Sequence, residues 1–108
     1  MTKQETINYI KQTLIPHLER IAKDKYPNTP ANHKKYGYKL NSKYIKVFAL
    51  DPKGMPNYVY CFINFQGDIF KPSGWKAPAK GIRGNIGSLD LNTVDSGRWL
   101  YKGGSGNA

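Results

Sequence analysis

Between Lys71 and Ile86 the chain reads KPSGWKAPAKGIRGNI, which sets Lys71, Lys76, Lys80 and Arg83 among one tryptophan, three glycines and two prolines. No carboxylate lies between Ile69 and Leu89. Cations on a stiff, glycine-punctuated backbone suit phosphate, because the side chains supply charged donors and glycine lets backbone amides come close. Pro78 fits the first position of a short helix. Lys76, Lys80 and Arg83 would then share one face near a helix start, whose free amides and dipole favour anions. Trp75 has two readings, a ring on which a base stacks or an anchor that pins the loop to the core. Anchoring is the commoner use of a loop tryptophan.

A second segment without acids runs from Lys25 to Leu50 and holds Lys25, Lys34, Lys35, Lys39, Lys43 and Lys46. Ten of the seventeen cations therefore sit in two stretches that lack compensating carboxylates. The whole chain carries 17 Lys plus Arg against 7 Asp plus Glu, a net +10 that exceeds what solubility asks of a small domain. A generic solubilising surface is the plain reading of such charge. A summed positive potential also steers anionic partners, and Lys34, Lys35, Lys39 and Lys46 would extend the basic loop into a patch.

Catalytic chemistry finds few groups. His17 and His33 have no serine or cysteine beside them that would make a nucleophile and base, and no carboxylate cluster is set to hold magnesium. One cysteine, Cys61, forms no internal disulfide and with two histidines makes no structural zinc site. Its place in an apolar strand marks an inert core thiol. Asp51, Asp68, Asp90 and Asp95 read as turn residues, and no phosphate-loop or dinucleotide fingerprint occurs. The expectation is a binding protein without metal or cofactor, not an enzyme.

With 108 residues there is room for one core. A helix is expected from about Thr2 to Asp24, with Ile7, Ile10, Leu14, Leu18 and Ile21 on one stripe and a Thr2/Glu5 capping box at its start. Pro16 should kink it or break it in two, and Lys3, Lys11, Arg20 and Lys23 form a solvated outer face. The proline- and asparagine-rich stretch from Tyr26 to Leu40 reads as a long basic loop. Lys43 to Leu50, Tyr58 to Phe65 and Asp68 to Lys71 read as strands of an antiparallel meander, with turns at 51–54 and at Gln66 and Gly67. Residues 1–102 make one α+β domain, an N-terminal helix on a three-stranded antiparallel sheet followed by the basic loop or short helix and an irregular C-terminal segment. Residues 103–108 are a flexible Gly/Ser tail.

Alternation along the strands assigns two faces. Ile45, Val47, Ala49, Val59, Cys61 and Ile63 would meet the helix. Tyr44, Lys46, Phe48, Tyr58, Tyr60, Phe62 and Asn64 would lie opposite, as an aromatic platform for single-stranded nucleic acid or as a surface covered by the C-terminal segment with Leu89, Leu91, Val94, Trp99 and Leu100, or by a second subunit. Coverage is favoured, since large exposed apolar patches are uncommon in monomers.

The run YCFINFQGDIFKPSGWKAPAKGIRGNI, from Tyr60 to Ile86, resembles small proteins of tailed bacteriophages that share a strand, a glycine-aspartate turn, a strand and a loop of the form K-x-x-x-W-K-A-P-A-K-x-x-R-G-N-I. The resemblance covers about a quarter of the chain and implies a phage or prophage origin and one compact domain. After Ile86 the sequence GSLDLNTVDSGRWLYKGG departs from the ending of that group, so nothing carries over to the C-terminus. Helix followed by meander also resembles the start of a double-stranded RNA-binding domain, a likeness of fold alone.

The expected function is a nucleic-acid-binding protein, for DNA or RNA, that grips phosphates through Lys71, Lys76, Lys80 and Arg83, with Trp75 beside them and Lys34, Lys35, Lys39 and Lys46 extending the patch. Two alternatives stand beside it: a virion or assembly accessory protein that oligomerises through the aromatic face, and an inhibitor of an acidic host protein. No span of about 20 apolar residues is present, so no membrane partner is expected. The polar N-terminus lacks a signal-peptide core, which points to an intracellular site, and the phage resemblance implies that this is the cytoplasm of an infected bacterium or else a virion.

Overall fold

The computed structural model describes residues 2–29, 34–94 and Leu100. The expected tail and the readings of His33, Asp95 and Trp99 lie outside these residues. The first helix, α1 (Lys3–Tyr9), starts at a capping box in which Thr2 Oγ1 accepts the Glu5 N–H and Glu5 Oε1 accepts the Thr2 N–H. These bonds satisfy two donors that a helix start leaves free. The break expected at Pro16 takes the form of a π-helical turn over Ile10–Leu14, followed by α2 (Ile15–Lys25). Pro16 offers no N–H to the preceding turn and crowds it, and the wider turn just before it relieves that clash, with Ile15 N–H reaching back to Ile10 O. Ile7, Ile10, Leu14 and Leu18 are buried as expected, but the stripe ends on Ala22, and Ile21 is only half-buried.

Five strands follow in sequential antiparallel order: β1 (Lys35–Leu40), β2 (Tyr44–Leu50), β3 (Pro56–Asn64), β4 (Asp68–Phe70) and β5 (Gly84–Asn85). The three expected strands are the central ones. The reading of residues 26–40 as loop is corrected, because their last six residues form β1. Lysines and a glycine lower the strand propensity there, yet Tyr36 and Tyr38 alternate with them and meet the core. Glu19 Oε2 accepts the Tyr36 N–H at 3.0 Å and so ties this edge strand to α2.

Turns are closed by side chains of the expected kind. Asp51 Oδ1 accepts the N–H groups of Lys53 and Met55 between β2 and β3, where Gly54 takes φ +84°. Asn64 Oδ1 accepts those of Gln66 and Asp68 between β3 and β4, where Gly67 takes φ +91°. Both glycines use the left-handed region open to a residue without Cβ. Asp68 then accepts from the side-chain amides of Asn64 and Asn85, binding the ends of β3, β4 and β5 together.

The core lies between the helices and one face of the sheet, with Ile45, Val47, Ala49, Cys61 and Ile63 fully buried beneath Ile10, Leu14 and Leu18. Thr6 Oγ1 donates to Phe65 O at 3.2 Å, fixing α1 against the end of β3. Val94 and Leu100 are buried in this same core, with Leu89 and Leu91 packed against it, and the His17 ring lies 3.2 Å from Val94 O. Leu89, Leu91, Val94 and Leu100, the described residues of the expected covering segment, therefore pack on the helix side of the sheet. Among the described residues, no helix is long and apolar enough to cross a membrane.

A bulge in β3 changes the expected assignment of faces. Val47 pairs with Cys61 but Phe48 pairs with Val59, leaving Tyr60 as an extra residue on β3. The alternation therefore shifts by one. Tyr58 and Tyr60 join the helix-side core, where Tyr60 meets Tyr36 edge-on at 6.0 Å, while Val59 moves to the other face beside Phe48.

Candidate functional site

The outer face of the sheet carries Lys35, Gly37 and Lys39 on β1, then Tyr44, Lys46 and Phe48 on β2, Phe62 on β3 and Phe70 on β4. Lys39, Lys46, Phe62 and Phe70 form one row across the strands, each paired with the next. Tyr44 meets Phe62 and Phe70 edge-on, with centroids 6.2 and 5.8 Å apart. Gly37 leaves room for the Phe48 ring, since a Cβ there would stand 3.1 Å from it.

Residues 71–79 fold back as a hairpin that prolongs β4. Ala79 N–H donates to Lys71 O at 2.8 Å, Ser73 N–H donates to Ala77 O at 3.1 Å, and Pro72 bridges Pro78. Proline at both bridge positions and the Ser73 hydroxyl, donating to Ala77 O at 3.0 Å, stiffen the tip. The expected short helix after Pro78 is absent among the described residues, so Lys76, Lys80 and Arg83 do not share a helical face. The backbone instead spends its hydrogen bonds on the hairpin and on the bond from Arg83 N–H to Ile69 O.

The hairpin tip lays Trp75 across the outer sheet face. Its ring is 6.2 Å from Phe48 at a tilt of 49°, and Lys46 Nζ stands 4.5 Å from the indole centroid and 6.0 Å from that of Phe62. Trp75 is thus the anchor of its loop, yet it remains 44% exposed. Lys46 is only 7% exposed, sandwiched between Phe62 and Trp75. Its stem is covered while its ammonium lies shallow, in the manner of a snorkelling lysine. Loss of water around the ammonium, then the charges of Lys39 and Lys76, hold the Lys46 pKa below the ordinary lysine value. Among the described residues no carboxylate meets it.

Of the nine residues singled out in the sequence, the fold gathers Lys35, Lys39, Lys46, Trp75 and Lys76 on this face. Lys34 stands apart at the start of β1, donating to Tyr58 Oη at 3.0 Å and lying over that ring. Lys71 begins the hairpin and is half-buried, while Lys80 is exposed on its return limb. Arg83 is half-buried, and among the described residues its Nε is a buried nitrogen without a hydrogen-bond partner. Phe70 and Gly37 belong to the face but were not singled out. Alternation across the turn at Gly67 would have indicated Phe70, whereas Gly37 lay in the segment read as loop.

A shallow groove of about 400 Å³ adjoins Trp75, between the hairpin tip and the first half of β3, lined by Asn57, Val59, Ser73, Gly74 and Trp75 among others. Its lining residues carry no formal charge. Cys61 is fully buried, and burial pushes its thiol pKa well up. Among the described residues, no three His, Cys, Asp or Glu side chains stand where they could hold a metal ion.

Neither the curated proteins nor the solved structures compared with the chain include a match. Residues 1–102 match a family of unknown function, DUF7717, and the chain belongs to that family.

Proposed function

We propose that this protein binds nucleic acid, and does so with the outer face of its sheet, where Lys35, Lys39, Lys46 and Lys76 contact phosphates around Trp75. The observation that carries the reading is Lys46, whose stem is covered by aromatic rings while its ammonium has Lys39 and Lys76 as charged neighbours and, among the described residues, meets no carboxylate. Concentrating like charge in this way works against folding, and an anion laid over it would relieve the repulsion. Four of the acids, meanwhile, serve the fold: Glu5 caps α1, Glu19 holds β1, Asp51 closes a turn and Asp68 ties the ends of β3, β4 and β5 together. The resemblance of Tyr60 to Ile86 to phage proteins supports a setting in an infected bacterium or a virion.

The reading makes the protein a binder and not a catalyst. Fluorescence anisotropy with labelled oligonucleotides across a salt series tests it. Four phosphate contacts predict an affinity that falls with salt at a log–log slope of about 3. Changing Lys39 and Lys76 together to Ala should lower that slope by about 1.5 and weaken binding to all sequences alike. No binding by the parent chain at low salt, or an unchanged slope in the folded double variant, would overturn the proposal.

A further inference from the structure

We propose that the groove beside Trp75 receives an unpaired nucleobase, so that the ligand is a single strand; this rests on the nucleic-acid reading above. The face divides into the two chemistries that one nucleotide combines. Lys46 Nζ stands 4.5 Å from the indole centroid. The same indole lines the uncharged groove together with Asn57, Val59, Ser73 and Gly74. A flat base stacked on the exposed part of the indole would keep its phosphate within reach of the lysines. Base–aromatic stacking tolerates any base, because each has a π-face.

Asn57 adds a donor and an acceptor at the rim, and among the described residues its side chain makes no hydrogen bond of its own. The groove runs between the hairpin tip and β3, open to solvent along the exposed edge of Trp75. A duplex keeps its bases stacked and paired inside, and could offer this surface only its phosphates.

The test compares three ligands of equal length on the full chain at low salt: a native single strand, an abasic single strand and a blunt duplex. The native strand should bind about 5- to 150-fold tighter than the abasic one, the weight of one base–aromatic stack. Gly74→Leu probes the groove without disturbing the fold, since a Cβ at Gly74 meets nothing within 4 Å. It should bring the native strand down to the abasic affinity and leave the abasic strand unchanged. Trp75→Phe, which keeps a smaller ring, should lose part of the same preference.

Equal affinity for native and abasic strands, a duplex bound as tightly as the native strand, or a folded Gly74→Leu chain that keeps the full preference would each overturn the groove while sparing phosphate binding. Polyglutamate bound as tightly as the native strand would overturn both proposals in favour of an acidic protein partner. Absence of binding to all three oligonucleotides would sink the nucleic-acid reading itself.

Discussion

Lys39 and Lys46 stand directly opposite one another in the β1–β2 ladder. Like charges so placed destabilise a strand pair, and the usual remedy, a neighbouring carboxylate, is missing among the described residues. Lys46 avoids some of the cost by laying its stem between Phe62 and Trp75, where it serves as apolar filling for the outer face. The packing of the stem and the position of the charge are therefore separable, which makes Lys46 the most informative residue to change.

Lys46→Met keeps the stem and removes the charge. The variant should be more stable than the parent by about 0.5–2 kcal/mol, the usual gain when a residue kept at a cost to stability is replaced. It should also bind oligonucleotides more weakly. Denaturant unfolding and anisotropy on the same samples check both halves. A variant that loses stability would mean that the ammonium, and not the stem, holds the face together.

The same pair of proteins gives a pH test. Because the Lys46 pKa is lowered in the fold, the unfolded chain holds its proton at pH values where the folded chain has begun to release it. Stability contributed by this group therefore rises with pH in the window just below the ordinary lysine value of 10.5. Tyr9, Tyr36 and Cys61 act in the opposite direction, since burial raises each of their pKa values. Their effects cancel in the difference between parent and Lys46→Met, so the variant's advantage should shrink as the pH approaches 10.5. A constant difference would place the Lys46 ammonium in ordinary solvent.

The central α+β plan could be read from the sequence because its signals are local: the apolar stripe from Ile7 to Leu18, the capping box, and the turn residues Asp51, Gly54 and Gly67. What escaped reading depends on contacts distant in sequence. β1 is a strand because β2 and Glu19 take up its backbone, not because its residues prefer extension. The bulge at Tyr60 has no sequence mark, yet it exchanges Tyr58 and Tyr60 for Val59 between the two faces. Trp75 was legible as an anchor, but not that it would lie over Lys46, since that requires the hairpin of residues 71–79 to fold back on the sheet.

The exchange of faces has a measurable consequence in the core. Leu14 and Ile63 are buried between helix and sheet, so replacing either by Ala should cost about 2–5 kcal/mol. Val59, which simple alternation places in that core, is half-buried on the outer face. Val59→Ala should cost well under those losses. Equal penalties for Val59→Ala and Ile63→Ala in denaturant unfolding would restore the uninterrupted alternation and remove the bulge.

Cys61 reports on the closure of the same strands. It is fully buried opposite Val47, and loss of water around it raises its pKa, which keeps the thiol protonated and poorly nucleophilic. A disulfide exchange reagent should therefore label the native chain only through unfolding. The labelling rate should rise with denaturant in step with the unfolded fraction, and in native buffer fall below that of the unfolded chain by about the folding equilibrium constant, where closing outpaces labelling. Raising the pH should speed labelling of the unfolded chain through the ordinary thiol value of 9.0. The native chain should follow only as far as its stability falls. Rapid labelling in native buffer without loss of structure would show that β2 and β3 open locally, and that the helix-side core is not sealed at its centre.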